Sequence, residues 1–168
     1  MREAKTPEFQ IHPDFALRPL DVHHAPELCS LLQSQSPGYI QYFKPFPFDE
    51  STLRRVLSEV REDVFEGFYH GDRLIGLMML RGWDEGYEVP TLGAMIDEQH
   101  RNHGLMTLIV EVAKVICRMR KVGRIMYKAH PDNVPAKSAT RLGFTQTGVD
   151  NSTGYLIFHM NLDSHDAR

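Results

Sequence analysis

The chain has 168 residues, of which 42% are hydrophobic and 24% charged, with a formal charge of −3 at pH 7. That length holds one domain with a real core and is too short for two comfortable ones, and the composition excludes collagen-like and disordered chains. Basic residues are scattered rather than gathered on one segment, which argues against a nucleic-acid partner and mildly favours neutral or cationic small ones.

From the N-terminus, MREAKTPEFQ has no apolar run, and nothing later approaches 18 consecutive apolar residues, so neither a signal peptide nor a membrane span is expected. Residues 14–20, DFALRPL, read as a first strand. A helix follows, with Leu28, Leu31 and Leu32 at helical spacing and Pro26 in its opening turn. Residues 39–48 are rich in aromatics and proline. Asp49 is a good N-cap for a second helix, whose Leu53, Val56, Leu57 and Val60 share a face. VFEGFYH and RLIGLMML, separated by Gly71 and Asp72, predict an antiparallel hairpin.

A strand within EVPTLGAMI, a long helix and the strand GRIMYKAH then follow in order, the signature of a parallel pair joined by a right-handed crossover. PDNVPAKSATRLGF predicts a short helix with Pro135 in its first turn and Gly143 as its left-handed C-cap. GYLIFHMNL reads as a closing strand, and the tail DSHDAR is expected to fray. Cys29 and Cys117 lie inside apolar helical patterns with no CxxC or Cys/His spacing, so reduced, buried thiols and a cytoplasmic location are expected.

The segment HRNHGLMTLIVEVAKVICR carries the most chemistry. Leu105, Leu108, Ile109, Val112, Ile116 and Met119 predict the buried face of a helix beginning at Gly104. Such a start leaves free backbone N–H groups at the positive end of the helix dipole, and a glycine there lets a ligand's phosphate approach the main chain. The same glycine could simply ease a tight turn. A strand ends just before it and a parallel strand follows its helix, which favours the ligand reading, because ligands of open α/β sheets gather at the carboxyl ends of such strands.

Arg101-Asn102-His103-Gly104-Leu105-Met106 resembles the phosphate motif Gln/Arg-x-x-Gly-x-Gly/Ala of the GNAT superfamily of acyl-CoA-dependent N-acetyltransferases, with Met106 in place of the second small residue. The resemblance extends over most of the chain. It implies an α/β (α+β) GNAT fold: a single domain with a mixed, mostly antiparallel, twisted central sheet, helices on both faces and one splayed parallel strand pair. It also implies that residues 101–107, Arg101 to Thr107, bind the pyrophosphate of acetyl-CoA. In this family the preceding strand carries a bulge whose backbone holds the pantetheine arm, here Ala94, Met95 and Ile96, and Asn133 would reach that arm from the short late helix.

Acetyl transfer from a thioester to an amine needs a neutral amine, a donor for the tetrahedral oxyanion and a fate for the leaving thiolate. The family uses direct attack, and often a tyrosine acid in the short late helix; none is present here, and the acid is unassigned. His130 ends its strand at the mouth of the parallel pair and is a candidate base, since histidine titrates near neutrality; the alternative is a histidine bonding local backbone before Pro131. Glu88 stands where several family members resemble this chain in placing a carboxylate base, and its alternative is an exposed strand-edge charge. Asp84 and Glu85 could attract a cationic amine. His100 and His103 lack a matched third ligand, so no metal is expected.

Tyr39, Tyr42 and Phe43 fall in the segment that often covers the acceptor site in this family, although a core plug or a homodimer contact would use the same residues. The expected reaction is acetylation of a small-molecule primary amine, such as an amino sugar, amino acid, polyamine or antibiotic. The alternatives are a protein N-terminal acetyltransferase, or a GNAT-fold module that binds acyl-CoA or another ligand without turnover, which Met106 and the missing tyrosine would suit.

Overall fold

In the computed structural model, which describes residues 14–162, the predicted hairpin forms as β2, Val64–His70, and β3, Arg73–Arg81, with Val64 opposite Leu80 and His70 opposite Arg73. Every residue from Leu74 to Leu80 on β3 is buried, as a strand covered on both faces requires. β1, Phe15–Pro19, pairs with β2, and β4, Thr91–Ile96, pairs with the other edge of β3. Beyond β4 come β5, Arg124–Ala129, then β7, Leu156–Asn161, and β6, Thr145–Val149, in the order β1-β2-β3-β4-β5-β7-β6. All neighbours are antiparallel except β4 and β5.

Helices cover both faces. α1, Ala25–Gln33, and α3, Glu50–Glu59, bury Leu28, Leu32 and Leu53 against one face, where they meet Leu77, Met79 and Met95. Asp49 caps α3 as expected, its side chain accepting the Thr52 N–H at 2.8 Å. On the other face α4, Leu105–Met119, and α5, Val134–Ser138, pack over Met78, Leu80, Leu92 and Ile125.

Several expectations are corrected. α4 buries Ile109, Val110, Ala113 and Cys117, while Leu108 and Met119 are 40% and 81% exposed, so its buried stripe is rotated from the expected one. Apart from the polar stripe of Thr107, Glu111, Lys114 and Arg118 the helix is apolar over a wide arc, and within that arc small Ala113 and Cys117 allow the closer approach to the sheet. β4 carries no bulge: it runs in unbroken register from Thr91 opposite Arg81 to Ile96 opposite Gly76. The irregularity lies between β2 and β3, where Phe68 pairs with Gly76 and Tyr69 with Leu74, leaving Ile75 as the extra residue. α5 ends at Ser138 and gives way to turns that reach Gly143. β6 was not expected, and a one-turn helix, α2 (Pro37–Ile40), stands within the aromatic segment. The tail DSHDAR lies outside the described residues.

Candidate active site

β4 and β5 touch through only two residue pairs, Thr91 with Met126 and Leu92 with Tyr127. Beyond these, β4 stays on β3 as far as Ile96, and β5 stays on β7 as far as Ala129, so a slot opens between them. The split begins just after Leu92. Asp97 N–H donates to Ile75 C=O at 2.7 Å, and Met126 N–H donates to Pro90 C=O at 2.9 Å. Strand alternation therefore turns the peptide groups of odd-numbered β4 residues toward β3 and those of Ala94 and Ile96 toward the slot. The missing bulge is thus not needed to present backbone to a ligand. A Cβ on Gly93 would come within 2.7 Å of Met79 Cε, the far end of a flexible side chain.

The slot opens into a cleft of about 1580 Å³ that also takes in the loop before α4. This volume exceeds the ~300–1,000 Å³ typical of one small-ligand pocket, leaving room for a donor and an acceptor together. Asn102 and Gly104 have φ of +68° and +80°, and Gly104 is the N-cap of α4 with no side-chain cap. The first-turn amides of a 15-residue helix therefore face the cleft without intrahelical partners. An added Cβ on Gly104 meets no atom within 4 Å, so the positive φ, not crowding within the protein, requires glycine. Arg101, Asn102, Leu105, Met106 and Thr107 line the cleft with Gly104. The Met106 side chain packs onto the core cluster beneath α4. His103 is exposed and lies outside the cleft wall.

Across the slot lies the aromatic segment. The Tyr39 hydroxyl donates to Ile96 C=O at 2.6 Å, and the Arg101 guanidinium sits 5.5 Å from its ring. Burial raises the Tyr39 pKa, opposed by the Arg101 charge and reinforced by Glu98 and Asp97. Tyr42 stacks on His130 at 4.0 Å, and Tyr155 O–H donates to Tyr42 C=O at 3.3 Å. α2 and the turn that follows it thus hold β4 through Tyr39 and the β5/β7 side through Tyr42. Tyr39, Tyr42 and Phe43 all line the cleft, and Phe43 also packs on the core beneath.

The two base candidates lie outside the cleft wall. His130 is held between Tyr42 and Tyr155, and its Nδ1 accepts the Asp132 N–H at 3.1 Å. With Nδ1 so engaged, the neutral ring carries its proton on Nε2 and has no free lone pair. Glu88 is exposed in the loop ahead of β4, at the closed end of the split. Asp84 accepts the N–H groups of Arg61 and Glu62 at 3.0 and 2.7 Å, a local loop role. Asn133 is the N-cap of α5, yet its side chain makes no capping bond and lines the cleft. Sequence reasoning missed Tyr127 and Tyr155, two cleft-lining phenols hidden within strand patterns, and burial drives the Tyr127 pKa up. Tyr127 lies on β5 and Tyr155 immediately precedes β7, which pairs with β5, so a place on or beside the parallel pair was the available signal for both.

A family model described as acetyltransferase (GNAT) domain matches residues 14–145. No curated protein sequence matches the chain. Among solved structures, the ribosomal-protein-S5-alanine acetyltransferase from Vibrio fischeri is similar with a TM-score of 0.73 at 15% identity, over 89% of this chain and 94% of that one. An acetyl transfer enzyme from Salmonella typhimurium, which modifies the N-terminal serine of ribosomal protein L7/L12, is similar with a TM-score of 0.75 at 16% identity, over 90% and 96%. The PaiA N-acetyltransferase from Thermoplasma acidophilum, solved in complex with coenzyme A, is similar with a TM-score of 0.70 at 15% identity, over 88% and 98%. At these identities the likeness is one of fold.

Proposed function

The chain belongs to the GNAT acetyltransferase family, and from that footing we propose that it moves an acetyl group from acetyl-CoA to the primary amine of a small molecule by direct attack. The observation that carries this reading is the split of β4 from β5 after Leu92, with the left-handed Gly104 turn at its mouth. The first-turn amides of α4 and the Arg101 charge suit the pyrophosphate, and Thr107 adds a hydroxyl. The slot-facing peptide groups of Ala94 and Ile96 suit the pantetheine amides, with Asn133 and Met95 completing the walls. The Ala94 N–H is the donor we assign to the developing oxyanion. The amine nitrogen bonds to the thioester carbon, the C–S bond breaks, the thiolate leaves and the new ammonium gives its proton to water.

Given the His130 and Glu88 geometry, the amine arrives neutral without a side-chain base. His130→Gln should therefore leave the pH dependence of kcat/KM following the acceptor's own ionisation; an inflection in the wild type that vanishes in the variant would restore His130 as the base. The small-molecule acceptor is supported by the aromatic turn anchored on both sides of the slot. A protein N-terminus is the second reading, favoured by the substrates that the Vibrio and Salmonella enzymes are named for. The test is thiol release from acetyl-CoA with a panel of small primary amines and a panel of short peptides. Release with small amines supports the first reading and release with peptides alone the second, while saturable binding without any amine-dependent release makes the protein a binding module. Function in the cytoplasm fits an acetyl-CoA-dependent reaction.

A further inference from the structure

Three polar residues are buried among those described, Gln35, Asp63 and Asp97, and a buried polar group is costly unless its bonds are made. Asp63 is accounted for locally, since its carboxylate accepts the N–H groups of Gly82 and Asp84 at 2.9 and 3.2 Å in loops remote from the cleft. Gln35 and Asp97 are 62 residues apart and join two parts of the candidate site, although neither lines the cleft.

Gln35 follows the end of α1, at the root of the aromatic segment. Its Nε2 donates to Leu31 C=O at 2.9 Å and to Asp97 Oδ1 at 3.0 Å, and its Oε1 accepts the Glu98 N–H at 2.8 Å. Asp97 directly follows β4, ahead of the loop that leads into α4; its Oδ2 meets His100 Nδ1 at 2.9 Å and the Arg73 guanidinium at 3.2 Å. The next residues repeat the pairing. Ser36 O–H donates to Glu98 at 2.9 Å, and Tyr39 then reaches Ile96 C=O and lies under Arg101. Residues 35–39 are thus fastened onto residues 96–101 side by side.

We propose that Gln35 and Asp97 are positioning residues for cofactor capture: their buried bond makes the root of the acceptor-side segment and the loop ahead of α4 one mechanical unit. Acetyl-CoA affinity is then set in part from the acceptor side. The inference rests on the acetyl-CoA reading above. A bond network of this kind has two discrete arrangements, made or broken, which is what energetic coupling between neighbouring sites requires.

The test is calorimetric acetyl-CoA binding, with Tm and steady-state kinetics, on the wild type, Gln35→Met, Ser36→Ala and Asp63→Asn. Gln35→Met keeps volume and removes the bonds; Ser36→Ala changes an exposed residue and carries the test if the first variant fails to fold. Both should weaken acetyl-CoA on the order of three- to thirtyfold and raise the KM of both substrates while kcat stays within about twofold. Asp63→Asn should lower Tm and leave acetyl-CoA affinity alone. If Gln35→Met, or Ser36→Ala in its place, lowers only Tm as Asp63→Asn does, the pair is structural and the proposal is overturned. A wild type that does not bind acetyl-CoA sinks the underlying reading as well, a result distinct from that one.

Discussion

Gly104 combines a φ of +80° with open space where a Cβ would project. Alanine there should cost about 1–2 kcal/mol through backbone strain alone, seen as a lower Tm. A pyrophosphate lying against this turn predicts a separate loss of acetyl-CoA affinity by calorimetry. Strain without loss of affinity would leave Gly104 as a turn residue only. Asp97 shows how a single buried carboxylate responds to pH: burial pushes its pKa up, but the bonds from Gln35 and His100 and the Arg73 charge outweigh this and hold it below the ordinary 3.8. A depressed folded pKa gives stability that is present above the unfolded value and is lost as pH falls through the folded one. The Tm gap between wild type and Asp97→Asn should therefore be full at pH 7 and should shrink below about pH 4. Thermal unfolding at pH 7 and pH 3 measures it. The sequence marks Gly104 because its type and place are both telling; it is silent on Gln35 and Asp97, whose meaning is a contact 62 residues away.

At the scale of elements, α4 shows where periodicity stops being informative. Its extent was legible, but leucine, isoleucine, valine and methionine spread over a wide arc on the side away from Thr107, Glu111, Lys114 and Arg118, and the sheet chose the stripe of Ile109, Ala113 and Cys117 within it. Ile109→Ala should cost ~2–5 kcal/mol, whereas Leu108→Lys should stay within about 0.5 kcal/mol. Chemical denaturation of the two variants decides between this face and the one that includes Leu108. β6 was illegible for the opposite reason. Its residues, Thr145, Gln146, Thr147, Gly148 and Val149, are mostly exposed on a sheet edge and carry no apolar alternation. β2 and β3 were read nearly residue for residue, because continuous apolar runs flank a turn glycine.

For the whole molecule, the decisive feature is the aromatic turn that reaches both sides of the strand split. Tyr39 meets Ile96 across 57 positions of sequence, and Tyr42 meets Tyr155 across 113. With the turn fastened to the cofactor loop, acetyl-CoA should slow amide hydrogen exchange in residues 35–43 as well as in residues 101–107. Exchange followed by mass spectrometry with and without acetyl-CoA measures this; protection confined to residues 101–107 would mean that the two segments move independently. The same contacts set the surroundings of His130. Its place at the end of β5 and a bond to local backbone, here the Asp132 amide, were legible, but the two tyrosines that flank its ring come from separate segments.

What the sequence determined by itself is whatever local periodicity, capping and backbone freedom encode: the hairpin, the strand, helix and strand around Gly104, and the phosphate-type turn that marks the family. Those signals lie within a few residues of one another and need no partner to be read. The tertiary structure alone decided where the strands part, which face of α4 is buried, which way the slot-facing peptides point and what holds the loop in place. Each of these depends on a register or a hydrogen bond between distant segments, and neither leaves a periodic trace in the chain.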